Sequence, residues 1–202
     1  RQSLRYMGVM KYPVKNVNRF FKDRNAAIQQ GLAFYLAGTA QVGKKHDFHK
    51  YLTSTDMALR QSFFDGAAHN PSFNFSKMML AGLKNRKDGK KNPQPNSIVR
   101  AYMMWALMQS DKTPENQCFY EMKKLITEKL VKVPMSENVF DSFYVRGTAL
   151  LTLAKWAHSG AKEGKRFYKE SLEFVEWQRE QGDDYPPSFD QIIEFAAISH
   201  QL

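Results

Sequence analysis

Residues 161–181 read AKEGKRFYKESLEFVEWQREQ. Lys162, Arg166, Lys169, Glu173, Glu176 and Glu180 follow one another at spacings of four, three, four, three and four. A backbone turning every 3.6 residues lines all six along one helix face, whereas a strand would scatter them over both faces. The bases occupy the N-terminal half of that face and the acids the C-terminal half, the order that the helix dipole disfavours. Arg166–Glu170 and Lys169–Glu173 pairs offset this by only about 0.2–0.5 kcal/mol each, in the weaker of the two orientations. Stability therefore does not explain the order. It is either an ordinary solvated face or one shaped by a partner, with Glu173, Glu176 and Glu180 as the candidate protein interface.

Outward from this segment the helical pattern continues. Ser136 opens a helix to Ala157 with Gly160 as its C-cap. Thr113-Pro114-Glu115 combines a cap, a proline for the first turn and an acid near the positive dipole end, and starts a helix running to about Val131, before Pro134. Gly182 closes the helix at 161–181, and Ser188 to Gln191 reads as a capping box for a last helix ending near Ser199. Upstream, Ile98 to Met108 is apolar nearly all round, which predicts a central, buried helix. Phe73, Phe75, Met78, Met79, Leu80 and Leu83 predict a helix over 73–87. Val17, Phe21, Ile28, Leu32 and Tyr35 predict one apolar stripe, with Lys15, Arg19 and Lys22 opposite and Arg24 back on the stripe. A break at Gly38–Gly43 precedes two shorter pieces, about 45–52 and 55–65, the second ending at Gly66.

No alternating strand pair, Asn-Gly hairpin or fixed-period repeat interrupts this pattern. The sequence predicts an all-α fold of about seven to nine helices in one compact domain. Lys84 to Asn92, followed by Pro93 and Pro95, offers a division near 86–96 into a basic subdomain, 1–88, and a C-terminal one, 96–202.

The chain has 202 residues, 43% of them apolar and 13% aromatic, sufficient to build an ordinary core rather than a disordered chain. No apolar run reaches the roughly 18–20 residues of a membrane span. A charged-then-apolar leader is absent from the first residues, which predicts a cytoplasmic setting, with a nuclear or virion-associated one still open. The chain opens on Arg1 rather than Met, so a segment ahead of it is also left open. Its one cysteine, Cys118, precludes an internal disulfide and a Cys-rich zinc site, and reads as a small core residue.

Gly38-Thr39-Ala40-Gln41-Val42-Gly43-Lys44 matches both glycines and the lysine of a phosphate-binding loop. Lys45 stands where a hydroxyl should hold Mg²⁺, and a helical stripe stands where a strand should precede, so a turn after a helix is the better reading. His46-Asp47-Phe48-His49 sets two imidazoles three residues apart, but it lacks further ligands and lies among Lys44, Lys45 and Lys50. His69, His158 and His200 stand alone. No nucleophile elbow or paired acid/base carboxylates appear. These absences predict a non-catalytic protein without cofactor or metal, although a site assembled from distant residues would leave no such trace.

Charge supplies the functional lead. Residues 1–100 hold 18 Lys/Arg against 5 Asp/Glu, and residues 170–202 hold one, Arg179, against 8. The whole chain carries a net charge of +10. Lys84, Arg86, Lys87, Lys90 and Lys91 crowd one loop. Arg1, Arg5, Lys11, Lys15, Arg19, Lys22 and Arg24 face Asp23 alone, with Tyr6, Tyr12, Phe20 and Phe21 interleaved. Cations neutralise phosphates and release counterions, while exposed aromatics stack on unpaired bases. The expectation is a sequence-tolerant nucleic-acid-binding domain within a larger assembly, held through the backbone by Lys15, Arg19, Lys22, Lys84, Arg86, Lys87, Lys90 and Lys91. The alternatives are a helical adaptor whose basic patch receives an acidic protein, self-association through the acidic end, and an enzyme.

Overall fold

The computed structural model describes residues 2–39, 51, 54–84, 97–127, 138–181 and 190–194. Among the described residues every regular element is a helix, and the fold is all-α. In chain order these are α1 (Gln2–Val9), a 3₁₀ helix (Val17–Lys22), α2 (Ala26–Thr39), α3 (Met57–Ala68), α4 (Ser76–Lys84), α5 (Ser97–Gln109), α6 (Asn116–Thr127), α7 (Asn138–His158) and α8 (Lys162–Gln181). None of them is long and apolar enough to cross a membrane.

The chain groups into two compact units, Arg1–Phe75 with Asn85–Lys112, and Ser76–Lys84 with Thr113–Leu202. A single cut near 86–96 therefore does not separate them. The physical reason is α4, whose Met79 and Leu83 are fully buried and whose Ser76 carbonyl accepts the Cys118 thiol of α6 at 3.6 Å. Residues 97–109 belong instead with the N-terminal elements, where α5 packs on α3.

In the first unit the organising element is α2, packed against both α1 and α3. Its residues Gly31 to Gly38 are buried without interruption. The all-round apolar helix at the centre is thus α2. The predicted one, α5, leaves Trp105 42% exposed. Glycines make the crossings possible. A Cβ on Gly8 would sit 3.0 Å from the Phe34 ring, and one on Gly38 would sit 3.1 Å from the Gly8 carbonyl oxygen. A Cβ on Gly66 would come within 2.8 Å of Phe34 Cα. Gly66 is therefore a packing residue inside α3 and not its stop; the helix runs on to Ala68. Two polar side chains carried into this core are hydrogen-bonded. The Tyr35 hydroxyl accepts Val14 N–H at 2.8 Å, and Asn70 Nδ2 donates to the Ala37 carbonyl at 3.1 Å. The Tyr51 ring stacks on Phe63 with centroids 5.7 Å apart, and burial pushes its hydroxyl pKa up. Asp56 caps α3 by accepting Leu59 N–H at 3.2 Å.

The single stripe predicted from Val17 to Tyr35 is two elements. Asn25 Oδ1 accepts Ala27 N–H at 2.9 Å and Ile28 N–H at 3.4 Å, an N-cap that starts α2 afresh at Ala26. Asp23 Oδ1 in turn accepts Asn25 N–H at 2.8 Å. Gln29 Nε2 ties the pieces together by donating to the carbonyls of Phe20, at 2.7 Å, and Asp23, at 2.8 Å. Arg24, predicted on the apolar stripe, lies in this break and is exposed.

In the second unit α6, α7 and α8 pack on one another and α4 lies against α6. Phe119 meets Trp156 with centroids 6.4 Å apart, and Tyr120 meets Phe167 at 6.0 Å. Gly160, at φ +82°, ends α7 as predicted: Ala161 N–H reaches back to the Trp156 carbonyl at 3.0 Å and Gly160 N–H to that of Ala157 at 3.2 Å. Cys118 is fully buried, in line with a core role. α6 starts at Asn116, three residues beyond the predicted Thr113 cap, and α4 starts at Ser76, leaving Phe73 and Phe75 ahead of it. Residues 190–194 are helical, within the predicted last helix. The features predicted at 40–50, 52–53, 85–96, 128–137, 182–189 and 195–202 lie outside the described residues.

Candidate nucleic-acid interface

The basic stretch Lys11–Arg24 belongs to the first unit. Lys11, Lys15, Arg19, Lys22 and Arg24 are all exposed. Three residues per turn of a 3₁₀ helix put Arg19 and Lys22 in one row, and both lie in its last turn, where the carbonyl ends favour cations. The Arg19 guanidinium lies 4.7 Å from the centroid of the Phe20 ring. The one carboxylate of the stretch, Asp23, is half-buried and engaged with the Asn25 N–H. Among the described residues no carboxylate forms an ion pair with any of the five cations.

Arg5 does not join them. It pairs with Asp65 and lies over the Phe34 ring, 4.6 Å from its centroid. His69 closes the same cluster: its Nδ1 donates to the Asp65 carbonyl at 2.8 Å at the end of α3. Arg5, Asp65 and His69 thus stitch α1 to α3.

The end of α1 has no signature in the sequence. Lys11 N–H reaches the Gly8 carbonyl at 3.2 Å and Tyr12 N–H the Met7 carbonyl at 2.8 Å, a Schellman turn. The residue at its left-handed corner is Lys11, with φ 51°, where glycine is normal. A side chain there costs about 1–2 kcal/mol, partly offset by the attraction of the ammonium to the helix C-terminus. No spacing rule reveals such a turn, because its glycine signal is missing. The turn brings the Tyr12 backbone back to the last turn of α1. Tyr6 is 67% exposed, Met10 61% and Tyr12 63%. Phe20 and Phe21, also among the predicted aromatics, are half-buried.

Of the remaining predicted cations, Lys84 is the last residue of α4, in the second unit. Arg86, Lys87, Lys90 and Lys91 lie outside the described residues.

The predicted acidic interface sits on α8. Glu173, Glu176 and Glu180 are exposed, as are Lys162, Arg166 and Lys169 on the same face. Both predicted pairs form, Arg166–Glu170 at 3.0 Å and Lys169–Glu173 at 3.8 Å. Trp177, half exposed, stands among the acids with its ring 5.8 Å from that of Phe174. Nearer the middle of α8, Lys123 Nζ of α6 reaches Glu170 at 3.0 Å. The Lys123 bond, aided by Arg166 and opposed by some desolvation, holds the Glu170 carboxyl below its ordinary pKa.

The segment Gly38–Lys45 begins inside a helix: α2 runs through Gly38 to Thr39, and Gly38 serves the approach of α1. A strand would have to precede a phosphate-binding loop. His46, Asp47 and His49 lie outside the described residues, among which no cluster of three metal-ligating side chains occurs. Comparison with protein-family models, curated proteins and solved structures finds no match.

Proposed function

We propose that the first unit is a non-catalytic, sequence-tolerant nucleic-acid-binding module acting within a larger assembly. The observation that carries this reading is the run of five exposed cations from Lys11 to Arg24, none of them ion-paired with a carboxylate among the described residues. Each cation that neutralises a phosphate releases a condensed counterion, so affinity falls as salt rises. Five such contacts give a slope of log affinity against log salt of about −3.5 on a single strand and −4.5 on a duplex. Between about 50 and 200 mM salt that is a loss of roughly 100- to 500-fold. The test is an anisotropy titration of labelled oligonucleotides over this range, with Lys15→Glu/Arg19→Glu/Lys22→Glu as the control. Wild-type binding at low salt with this slope, and its loss in the triple variant, is the expected result. No binding at low salt, or binding indifferent to salt, refutes the proposal.

A second reading draws on the acidic face of α8, where Glu173, Glu176 and Glu180 surround half-exposed Trp177. Such a face suits the basic stretch of another copy, a head-to-tail contact that builds rings or filaments. Sedimentation velocity at low and high salt tests it: a monomer at every salt and protein concentration excludes self-association. The basic stretch would serve an acidic protein partner by the same complementarity, and failure to bind any oligonucleotide would favour that outcome.

A further inference from the structure

We infer that the nucleic acid held by the first unit is single-stranded, selected by an apolar surface of Tyr6, Val9, Met10 and Tyr12 beside the cations; this rests on the proposed function and narrows it. Eight large apolar side chains are exposed among the described residues, and these four of them fall within positions 6–12. The other four, Met57, Trp105, Tyr120 and Trp177, are dispersed along the chain. On α1 the buried residues Leu4 and Gly8 occupy one side. Tyr6, Val9 and Met10, at the three- and four-residue spacings of a shared face, occupy the opposite side. An outward helix face is ordinarily polar. Here, beyond exposed Gln2 and Ser3 in the first turn, it is apolar and aromatic, and the left-handed Lys11 turn brings the Tyr12 backbone back to the Met7 carbonyl of the same helix.

The chemistry of the ligand follows from joining this surface to the cations that succeed it in the chain. A duplex offers phosphates but keeps its base faces stacked inside, so it satisfies only Lys11, Lys15, Arg19, Lys22 and Arg24. An unpaired strand offers both phosphates and free base faces, which stack on aromatic side chains with little regard to sequence. An anionic membrane would also meet cations and apolar groups. Against it, α1 has only eight residues, one side of which is committed to the unit's core, and two of the four exposed side chains are tyrosines with polar tips. Interfacial helices insert a longer apolar face, rich in Trp, Phe and Leu.

The experiment compares the full chain binding a labelled thymidylate oligomer of about 20 nucleotides, the same oligomer annealed to its adenylate complement, and vesicles of phosphatidylcholine with phosphatidylserine. Losing base stacking costs roughly tenfold or more per stacked base. The expected result is therefore a single-strand preference of about tenfold or more. Tyr6→Ala/Tyr12→Ala should lower single-strand affinity to the duplex level without changing its salt slope, and Tyr6→Phe/Tyr12→Phe should retain the preference. Both tyrosines are largely exposed, so the circular dichroism of either variant should match the wild type. Equal affinity for strand and duplex, or no effect of the alanine pair, overturns the inference and leaves the proposed function standing. Absence of binding to both oligonucleotides overturns the two together. Vesicle binding lost in the alanine pair, without any strand preference, assigns the surface to lipid and overturns the inference as well.

Discussion

Replacing Gly66 with alanine adds one methyl group at the tightest crossing described in the first unit. Built on the existing backbone, that carbon would stand 2.8 Å from Phe34 Cα and 2.9 Å from its carbonyl carbon. Carbon atoms rest at about 3.5–4.0 Å, so α2 and α3 would have to separate by close to 1 Å. Neither obstructing atom belongs to a side chain that could rotate away. The separation would loosen Phe63, Phe64 and Ala67 on α3 and Phe34 and Ala37 on α2, all now within 1% of full burial. Ordinary overpacking costs about 1–3 kcal/mol; with backbone on both sides the expected loss is at the top of that span, about 3 kcal/mol. For a chain of this size each kcal/mol moves Tm by roughly 2–4 °C, which gives a fall of about 6–12 °C. Urea and thermal unfolding followed by circular dichroism measure it, with Gly160→Ala as the comparison. At that site nothing lies within 4 Å, and only the left-handed backbone is strained, by about 1–2 kcal/mol. A Gly66→Ala loss no larger than that of Gly160→Ala would refute the crossing as drawn.

Other consequences follow from single residues. Lys11→Gly relieves the left-handed strain and should raise stability by about 1 kcal/mol or less, since a favourable charge at the helix end goes with it. The same variant should weaken oligonucleotide binding and reduce the salt slope by somewhat under one unit, so stability and affinity should move in opposite directions in parallel melts and titrations. Glu170 has a folded-state pKa below its unfolded one, so its contribution is complete above the unfolded value and disappears as pH falls through the folded one. Glu170→Gln should therefore cost up to about 1 kcal/mol at pH 7 and nothing in strong acid, read from urea midpoints at both pH values. Cys118, fully buried, should react with a thiol reagent only at the rate of unfolding; immediate labelling of the folded chain would contradict its placement.

The sequence discloses helices where the signal is local. Gly160 illustrates this, since a glycine just past a periodic run has few uses other than a left-handed cap, and the 161–181 face kept both its spacing and its two ion pairs. Local signal misleads where a tertiary contact gives a residue another role. Gly66 resembled a stop because nothing local distinguishes a terminating glycine from one that admits a neighbouring backbone. Val17 to Tyr35 resembled one stripe because apolar period is blind to the Asn25 cap, whose meaning depends on Gln29 reaching back to Phe20 and Asp23. Residues 98–108 are as apolar as a central helix, but Trp105 remains at the surface while α2 takes the middle. The candidate interface divides in the same way. Its cations were evident from composition, whereas the withdrawal of Arg5 to Asp65 required knowledge of a residue sixty positions away. The strain at Lys11 leaves no compositional mark at all.

The assignment of α4 to the second unit bears on the order in which the chain can mature during synthesis. Residues 76–84 leave the ribosome well before α6, against which Met79 and Leu83 are buried. At about 5–20 residues per second, the interval from Lys84 to Thr127 lasts roughly 2–9 s. A nine-residue helix is marginal without its tertiary contacts, so α4 spends that interval as an apolar segment without its final neighbour. The first unit, for its part, cannot close until residues 97–109 have emerged. Neither unit is a continuous stretch of chain, and truncation at residue 112 would yield the complete first unit with an orphaned α4 looped out of it. Such a fragment should be prone to aggregation through α4, and deleting 76–84 from it, with a short flexible bridge in their place, should restore its solubility.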